Sequence, residues 1–394
     1  MFEALPVQPV DPILALMEAY GGDTRPGKID LGIGVYRNAA GVTPVMRAVK
    51  AAEERLWREQ ETKSYIGFLG DAAFNDAMTG LVLGDAIPRA NVAAAATPGG
   101  TGAVRQAFEA IQAANPVARV FISDPSWVNH ASMLDHLGLA RSYYRYFDPE
   151  TRGVAFDAMM ADLQAVKAGD VVLLHGCCHN PTGADLNPVE WQAVRDLIAD
   201  RGALAMIDLA YMGLGDGVEE DAALVRGMVS GLPECLIAVS CSKNFGLYRD
   251  RAGLLIATAQ DPALQGRLKG TLAHLNRQNF SFPPDHATRT VSTILQDDAL
   301  RADWQAELTE MRGRINGVRR ALADELQRLT GSDRFHFLAQ HRGMFSRLGA
   351  TPDQIRYLRD EHAVYMVGDS RMNVAGLTEA AVPVLAQAIV DAGL

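Results

Sequence analysis

The sequence predicts an α/β protein built on a mainly parallel sheet, with a smaller second unit near its C-terminus. Three observations carry this. Short apolar runs alternate with helical patterns through the middle of the chain. Polar residues follow each apolar run, where the carboxyl ends of parallel strands would gather. A thirty-residue helical pattern then leads into a mixed final segment.

The elements justify this in chain order. The first dozen residues are rich in proline and lack periodicity, so 1–12 reads as an extended arm that needs something to pack on. Thr97-Pro98-Gly99-Gly100-Thr101-Gly102 precedes a helical run, Ala103–Ala114. Arg119–Ser123, Val171–His175, Ala203–Asp208, Leu236–Ser240 and Gly253–Thr258 read as strands covered on both faces. Between them, Asn187 as N-cap, Pro188 at the first helical position and Glu190 form a capping box. Trp191, Val194, Leu197 and Ile198 then line one face. Leu300, Trp304, Leu308, Met311, Ile315, Val318, Leu322 and Leu326 recur at helical spacing from Ala299 to Leu329. Gln354–His362 is a further helical stretch in the last segment, which is expected to form the smaller unit.

Composition excludes several classes. The chain has 394 residues, enough for one large and one small core. Its net charge of −10 disfavours nucleic acid and anionic membranes as partners. No basic-then-apolar leader opens the sequence, and no apolar run has the length of a membrane span. Four cysteines without a C-x-x-C pair suit a reduced, cytoplasmic protein.

Four loops at strand ends carry chemistry: Asp124-Pro125-Ser126-Trp127, His179-Asn180-Pro181-Thr182-Gly183, Asp208-Leu209-Ala210-Tyr211 and Ser240-Cys241-Ser242-Lys243-Asn244. Alone, a lysine after a buried strand reads as a surface residue. The serines beside Lys243 add a place for an anion, and a desolvated lysine is a nucleophile and base. Asp208 reads either as a helix cap or salt-bridge partner, or as the counter-charge of a protonated ring nitrogen. The glycine-rich turn at 97–102 suits a phosphate at a helix N-terminus. It has neither the G-K-[ST] of a P-loop nor a dinucleotide fingerprint, since Arg105 stands at the third glycine position. His175-Gly176-Cys177-Cys178-His179 is spaced too tightly for a metal site, and an extended chain would send its two thiols to opposite sides. No metal is expected.

Together these strings resemble the aspartate/aromatic aminotransferase family, fold-type I of the pyridoxal-phosphate enzymes. The resemblance runs from Asp11-Pro12-Ile13-Leu14 and Leu31–Tyr36 through PGGTGA (98–103), DPSWVNH (124–130), HGCCHNPTG (175–183) and SCSKNFGLY (240–248) to GDSRMNVAG (368–376). The segments 275–279, 281–284 and 344–349 look most like the bacterial aromatic amino acid branch. The resemblance implies a large domain, 44–310, with a mainly parallel seven-stranded sheet flanked by helices. It implies a smaller α+β domain from 13–43 and 311–394.

The resemblance also implies pyridoxal 5'-phosphate, held as a Schiff base by Lys243. Asp208 corresponds to the partner of the ring nitrogen, Asn180 and Tyr211 to the partners of the ring oxygen, and Trp127 to the stacked aromatic. His130 corresponds to a support for Asp208. Gly99, Gly100, Thr101, Ser240, Ser242 and Arg251 match the phosphate cradle, joined by Tyr65 from a partner subunit. Arg371 and Gly34 match the site of the substrate α-carboxylate, and Arg277 of the partner the site of a distal carboxylate. The implied protein is a homodimer with shared active sites, acting on amino acids and 2-oxo acids. Phe282 replaces a smaller polar residue of aspartate-specific relatives and favours apolar substrates. Met212 stands where glutamine is common.

Overall fold

The computed structural model describes residues 1–8 and 10–394. Its centre is a seven-stranded sheet. In spatial order the strands are Val92–Pro98, Ala252–Ala259, Glu234–Ser240, Leu204–Leu209, Val171–His175, Arg119–Asp124 and Ala140–Arg145. Ala252–Ala259 runs antiparallel to both neighbours, and all other pairs are parallel. The expected α/β architecture is therefore present. Two of the strands, Val92–Pro98 and Ala140–Arg145, were not expected from the sequence.

Both faces of the sheet are covered by apolar side chains. Val104, Phe108, Val120, Ile122, Leu173 and Leu255 pack on one face; Val172, Leu174, Ile207, Val239 and Ile256 pack on the other. Burying each such side chain stabilises the fold by about 1.5–3 kcal/mol before entropy is counted. The helix Pro188–Arg201 has the expected capping box, with Asn187 accepting from Glu190 N–H and Glu190 accepting from Asn187 N–H. The helix Pro352–His362 begins before the expected Gln354, because Thr351 caps it and Pro352 occupies its first turn.

One expectation shifts near the glycines. The helix is Gly99–Ala114, so the glycines lie inside its first turn rather than ahead of it. Gly99 has φ +72°, which favours glycine at that position.

A second core lies apart from the first. Ile29, Leu31, Phe335, Leu338, Leu358, Val364, Leu385 and Ile389 are buried together. Two short pairings frame it: Ile29–Asp30 runs parallel to Val364–Tyr365, and Arg371–Asn373 runs antiparallel to Phe345–Arg347. The helix Asp298–Thr330 joins the two cores. Trp304, Leu308, Met311 and Ile315 enter the first; Val318, Leu322 and Leu326 enter the second. Gly313 and Gly317 lie at the handover, and a Cβ at either would meet nothing within 4 Å.

The N-terminal residues are exposed, including Phe2, Leu5, Val7 and Val10. Pro9, within the expected arm, lies outside the described residues. Among the described residues, no helix is long and apolar enough to cross a membrane.

Candidate active site

The carboxyl ends of the parallel strands open on a cavity of about 160 Å³. Register explains the convergence. His175 pairs with Asp208, and Asp208 with Ala238, so the loops after three adjacent strands leave the sheet at one level. Lys243 follows the last of these strands and lines the cavity. Its loop is held from behind by the long helix. The Trp304 indole donates to the Asn244 carbonyl at 2.7 Å and stacks on Phe245 at 4.5 Å.

Lys243 Nζ lies 5.1 Å from the centre of the Tyr211 ring. Enclosure pushes its ammonium down to about 8, with Arg251 adding to the effect and Asp208 opposing it. Burial pushes the Asp208 carboxyl up. The hydrogen bond and charge of His130, with lesser contributions from His175 and Lys243, outweigh this and hold it below its usual range. Burial raises the Tyr211 phenol far above its usual value, and the Asp208 charge adds to this, so Tyr211 keeps its proton.

A buried polar chain fixes Asp208. His130 Nε2 is 2.9 Å from Asp208 Oδ2, and Ser126 Oγ is 2.9 Å from His130 Nδ1. The same hydroxyl lies 3.3 Å from His175 Nε2. Burial pushes the His175 imidazole down to about 3, so it is neutral near pH 7. Trp127 lines the cavity and meets His130 edge-on at 5.2 Å.

The opposite wall is made of small and basic groups. Gly100, Thr101, Ser240, Ser242 and Arg251 line it. The first N–H groups of the Gly99–Ala114 helix have no partners within the helix. A Cβ on Gly100 would lie 2.7 Å from Ser240 Cβ, and one on Gly99 2.5 Å from the Arg251 guanidinium. Only glycine permits this approach of helix to strand end. Arg251 donates to Ser242 Oγ at 3.2 Å.

Asn180 links the cavity to the second core. Its amide donates to Tyr211 Oη, and its oxygen accepts from Arg371, both at 3.4 Å. Arg371 also donates to the Gly32 carbonyl at 3.0 Å and lies 4.5 Å over the Phe345 ring. Its Nε is buried with no partner among the described residues. Burial lowers its hold on its proton. Gly34 lines the cavity, and a Cβ there would press on Phe345 at 2.9 Å.

Of the expected residues, Gly99 and Arg371 do not line this cavity but adjoin residues that do, Arg251 and Asn180, while Tyr65 and Arg277 lie apart from it. Tyr65 is 85% exposed and stacks on Phe282 at 4.6 Å. Arg277 donates to Ser281 Oγ and lies 5.4 Å over Phe68, which itself packs on Phe282. The two expected partner residues therefore share one surface cluster with the Phe282 ring.

Besides Ala210, two cavity residues were not assigned from the sequence. His175 ends a strand, and only its register with Asp208 marks it. Tyr248 lines the cavity and accepts from the Tyr36 N–H at 3.0 Å, a contact across 212 residues that no local pattern announces. One expectation is corrected. Cys177 and Cys178 do not diverge: their sulfurs and an Asp221 carboxylate oxygen lie within 4.8 Å of one another. Cys178 has φ +54°, so the chain is not extended there. The Asp221 carboxylate already accepts from the N–H groups of Gly213, Gly215 and Asp216.

Comparison with known proteins agrees with this geometry. The family described as aminotransferase class I and II matches residues 26–389. An aromatic-amino-acid aminotransferase of Paracoccus denitrificans is 54% identical over 394 residues, covering 100% of both chains. An aspartate aminotransferase of Salmonella typhi is 43% identical over 393 residues, covering 99% of each. The structure of an aromatic-amino-acid aminotransferase from Burkholderia pseudomallei, covalently bound to pyridoxal phosphate, superposes with a TM-score of 0.97. It is 39% identical, with 100% of this chain and 99% of that one covered. The chain belongs to the class I and II aminotransferase family.

Proposed function

We propose that this transaminase moves the amino group of tyrosine, phenylalanine, tryptophan, aspartate or glutamate to 2-oxoglutarate or a related 2-oxo acid, in a ping-pong cycle. The observation that carries the proposal is Lys243, a lysine of depressed basicity facing an ionised Asp208 across an enclosed cavity.

The residues present fit pyridoxal 5'-phosphate. The glycine cradle, the helix N-terminus, Thr101, two serines and Arg251 suit a phosphate group. Asp208, held ionised, suits a protonated ring nitrogen, and Trp127 offers a flat apolar face. Asn180 and Tyr211 suit the ring oxygen. When bound, this cofactor supplies an aldehyde that joins the amine of Lys243 or of a substrate, and a ring that withdraws electrons from the substrate Cα.

The chain's own groups do the rest. Lys243, partly neutral near pH 7, takes the proton from the substrate Cα at Nζ and returns it during the exchange. Asp208 keeps its charge because His130 and the Ser126–His175 chain stabilise it. Tyr211 acts as a hydrogen-bond donor throughout. Arg371 binds the α-carboxylate common to all substrates, with its unpartnered Nε available and its planar fork suited to two oxygens. Gly34 leaves room for that group.

Tyr65 and Arg277 belong to the reading through a homodimer, in which each would serve the partner's cavity. Their exposure, and the exposed apolar arm at 1–12, support such an assembly. Arg277 would bind a distal carboxylate, and the neighbouring Phe68 and Phe282 rings favour aromatic side chains. The two cores support a large domain, 44–310, and a small domain, 13–43 with 311–394. Four buried free thiols suit the cytoplasm.

The test is an absorption spectrum of the cofactor-loaded protein, before and after adding phenylalanine or aspartate without an oxo acid. Loss of the aldehyde band with both amino acids is expected. A change with aspartate alone would make the enzyme aspartate-specific. No cofactor band after adding pyridoxal phosphate would end the proposal.

A further inference from the structure

The stretch 31–37 carries Gly34 to the cavity, and most of its hydrogen bonds run to the second core. The Leu31 N–H donates to the Tyr365 carbonyl at 2.8 Å, and the Arg37 N–H to the Ala375 carbonyl at 2.9 Å. The Asn373 amide donates to the Ile33 and Val35 carbonyls at 2.5 and 2.8 Å. Arg371 donates to the Gly32 carbonyl at 3.0 Å. Among the described residues, one hydrogen bond of this stretch reaches the loops at the ends of the central sheet. The Tyr36 N–H donates to Tyr248 Oη at 3.0 Å.

Tyr248 belongs to the loop of Lys243. The Gly246 N–H donates to the Lys243 carbonyl at 3.2 Å, which turns the chain between them. The Tyr248 carbonyl accepts from Arg251 at 3.2 Å, and the same Arg251 nitrogen donates to Ser242 Oγ. Tyr248 is therefore fixed at its backbone by the basic wall of the cavity and reaches the 31–37 stretch with its hydroxyl. Burial pushes its phenol up to about 12, with the Tyr36 N–H opposing this, so the hydroxyl is neutral near pH 7.

An amino acid held at its α-carboxylate by Arg371 meets Lys243 only if these two groups keep their spacing. They stand on different cores. The Gly32 carbonyl orients Arg371, and the Tyr36–Tyr248 bond joins the stretch bearing Gly32 and Gly34 to the loop bearing Lys243. A small misplacement of reacting groups is costly in rate.

We propose that Tyr248 is a positioning residue for transamination. Through the Tyr36 N–H, its hydroxyl sets Gly34 and the Gly32 carbonyl relative to Lys243, and so sets the substrate α-carboxylate relative to the group that moves the proton. The inference rests on the reading of Arg371 and Gly34 as the α-carboxylate site.

The experiment uses Tyr248→Phe, which keeps the ring against the cavity and removes the acceptor. Loss of the aldehyde band is timed at low concentrations of phenylalanine, aspartate and 2-phenylethylamine, an amine without a carboxylate. Both amino acids should react about tenfold more slowly than with the parent, by a common factor, and 2-phenylethylamine at the parent's rate. Cofactor affinity and the resting spectrum should stay as in the parent. Amide hydrogen exchange across 31–37 should quicken by about the same factor, a readout independent of turnover. Undiminished rates with the amino acids, an equal loss with 2-phenylethylamine, or unchanged exchange at 31–37 would overturn the proposal. A parent that converts 2-phenylethylamine as fast as phenylalanine would instead remove the α-carboxylate site itself, and this inference with it.

Discussion

Lys243 and Arg319 are both cations withdrawn from bulk water, and their surroundings treat them in opposite ways. Arg319, on the long helix, is 1% exposed. It donates to the Gly343 and Phe345 carbonyls at 2.7 and 2.6 Å and to Ser346 Oγ at 2.6 Å, with longer contacts to two more carbonyls. Burial pushes it down only to about 10, so it stays charged. Lys243 has no hydrogen-bond acceptor among the described residues, and its amine falls to about 8. Giving the two terminal nitrogens of a buried cation several acceptors makes it a clamp. Leaving it unsaturated beside one carboxylate makes it a base.

The largest test of this contrast is Lys243→Ala. Turnover of phenylalanine and aspartate should fall more than about a thousandfold, the upper range for losing an acid–base group, while the cofactor still binds. Steady-state rates near those of the parent would remove Lys243 from the chemistry. Arg319→Met is the matching test of the clamp. It leaves the carbonyls at 343 and 345 without donors, each worth about 1–3 kcal/mol, so stability should fall by about 3 kcal/mol or more. The denaturant midpoint measures this. A loss within about 0.5 kcal/mol would place Arg319 among ordinary surface contacts.

The smallest effect is a pH dependence in the cofactor-free protein. The folded value of Lys243, about 8, lies below the ordinary 10.5. Between these values the unfolded chain binds more protons, so the lysine's contribution to stability rises with pH through that window. The gap in unfolding midpoint between the parent and Lys243→Met should narrow from pH 7 towards 10.5. A constant gap would show that Lys243 titrates normally.

The same contrast separates what was legible in the sequence from what was not. Val171–His175 and Leu236–Ser240 could be read because their β-branched and leucine runs have no other stable place than a covered sheet. Val92–Pro98 is mostly alanine, a poor strand former, and is held in the sheet by its pairing with Ala252–Ala259. Ala140–Arg145 is an edge strand with polar residues exposed, so its pattern lacks an apolar run. Asp208, Tyr211 and Lys243 were legible as members of polar loops at strand ends, and their roles came from the resemblance. Arg319 was not, because a buried arginine on an amphipathic helix looks like a solvent-facing one until the 338–346 segment folds over it. Tyr65 and Arg277 came from resemblance alone, and a single chain brings neither to its own cavity.

The long helix also has a mechanical side. Gly313 and Gly317 stand where its burial passes from one core to the other, and neither is required by lack of space. Each lowers helix stability by about 1 kcal/mol relative to alanine. The shaft connecting the cores is therefore most compliant at its midpoint. Bending the helix costs least there, so that is where a change in tilt between the cores would be taken up.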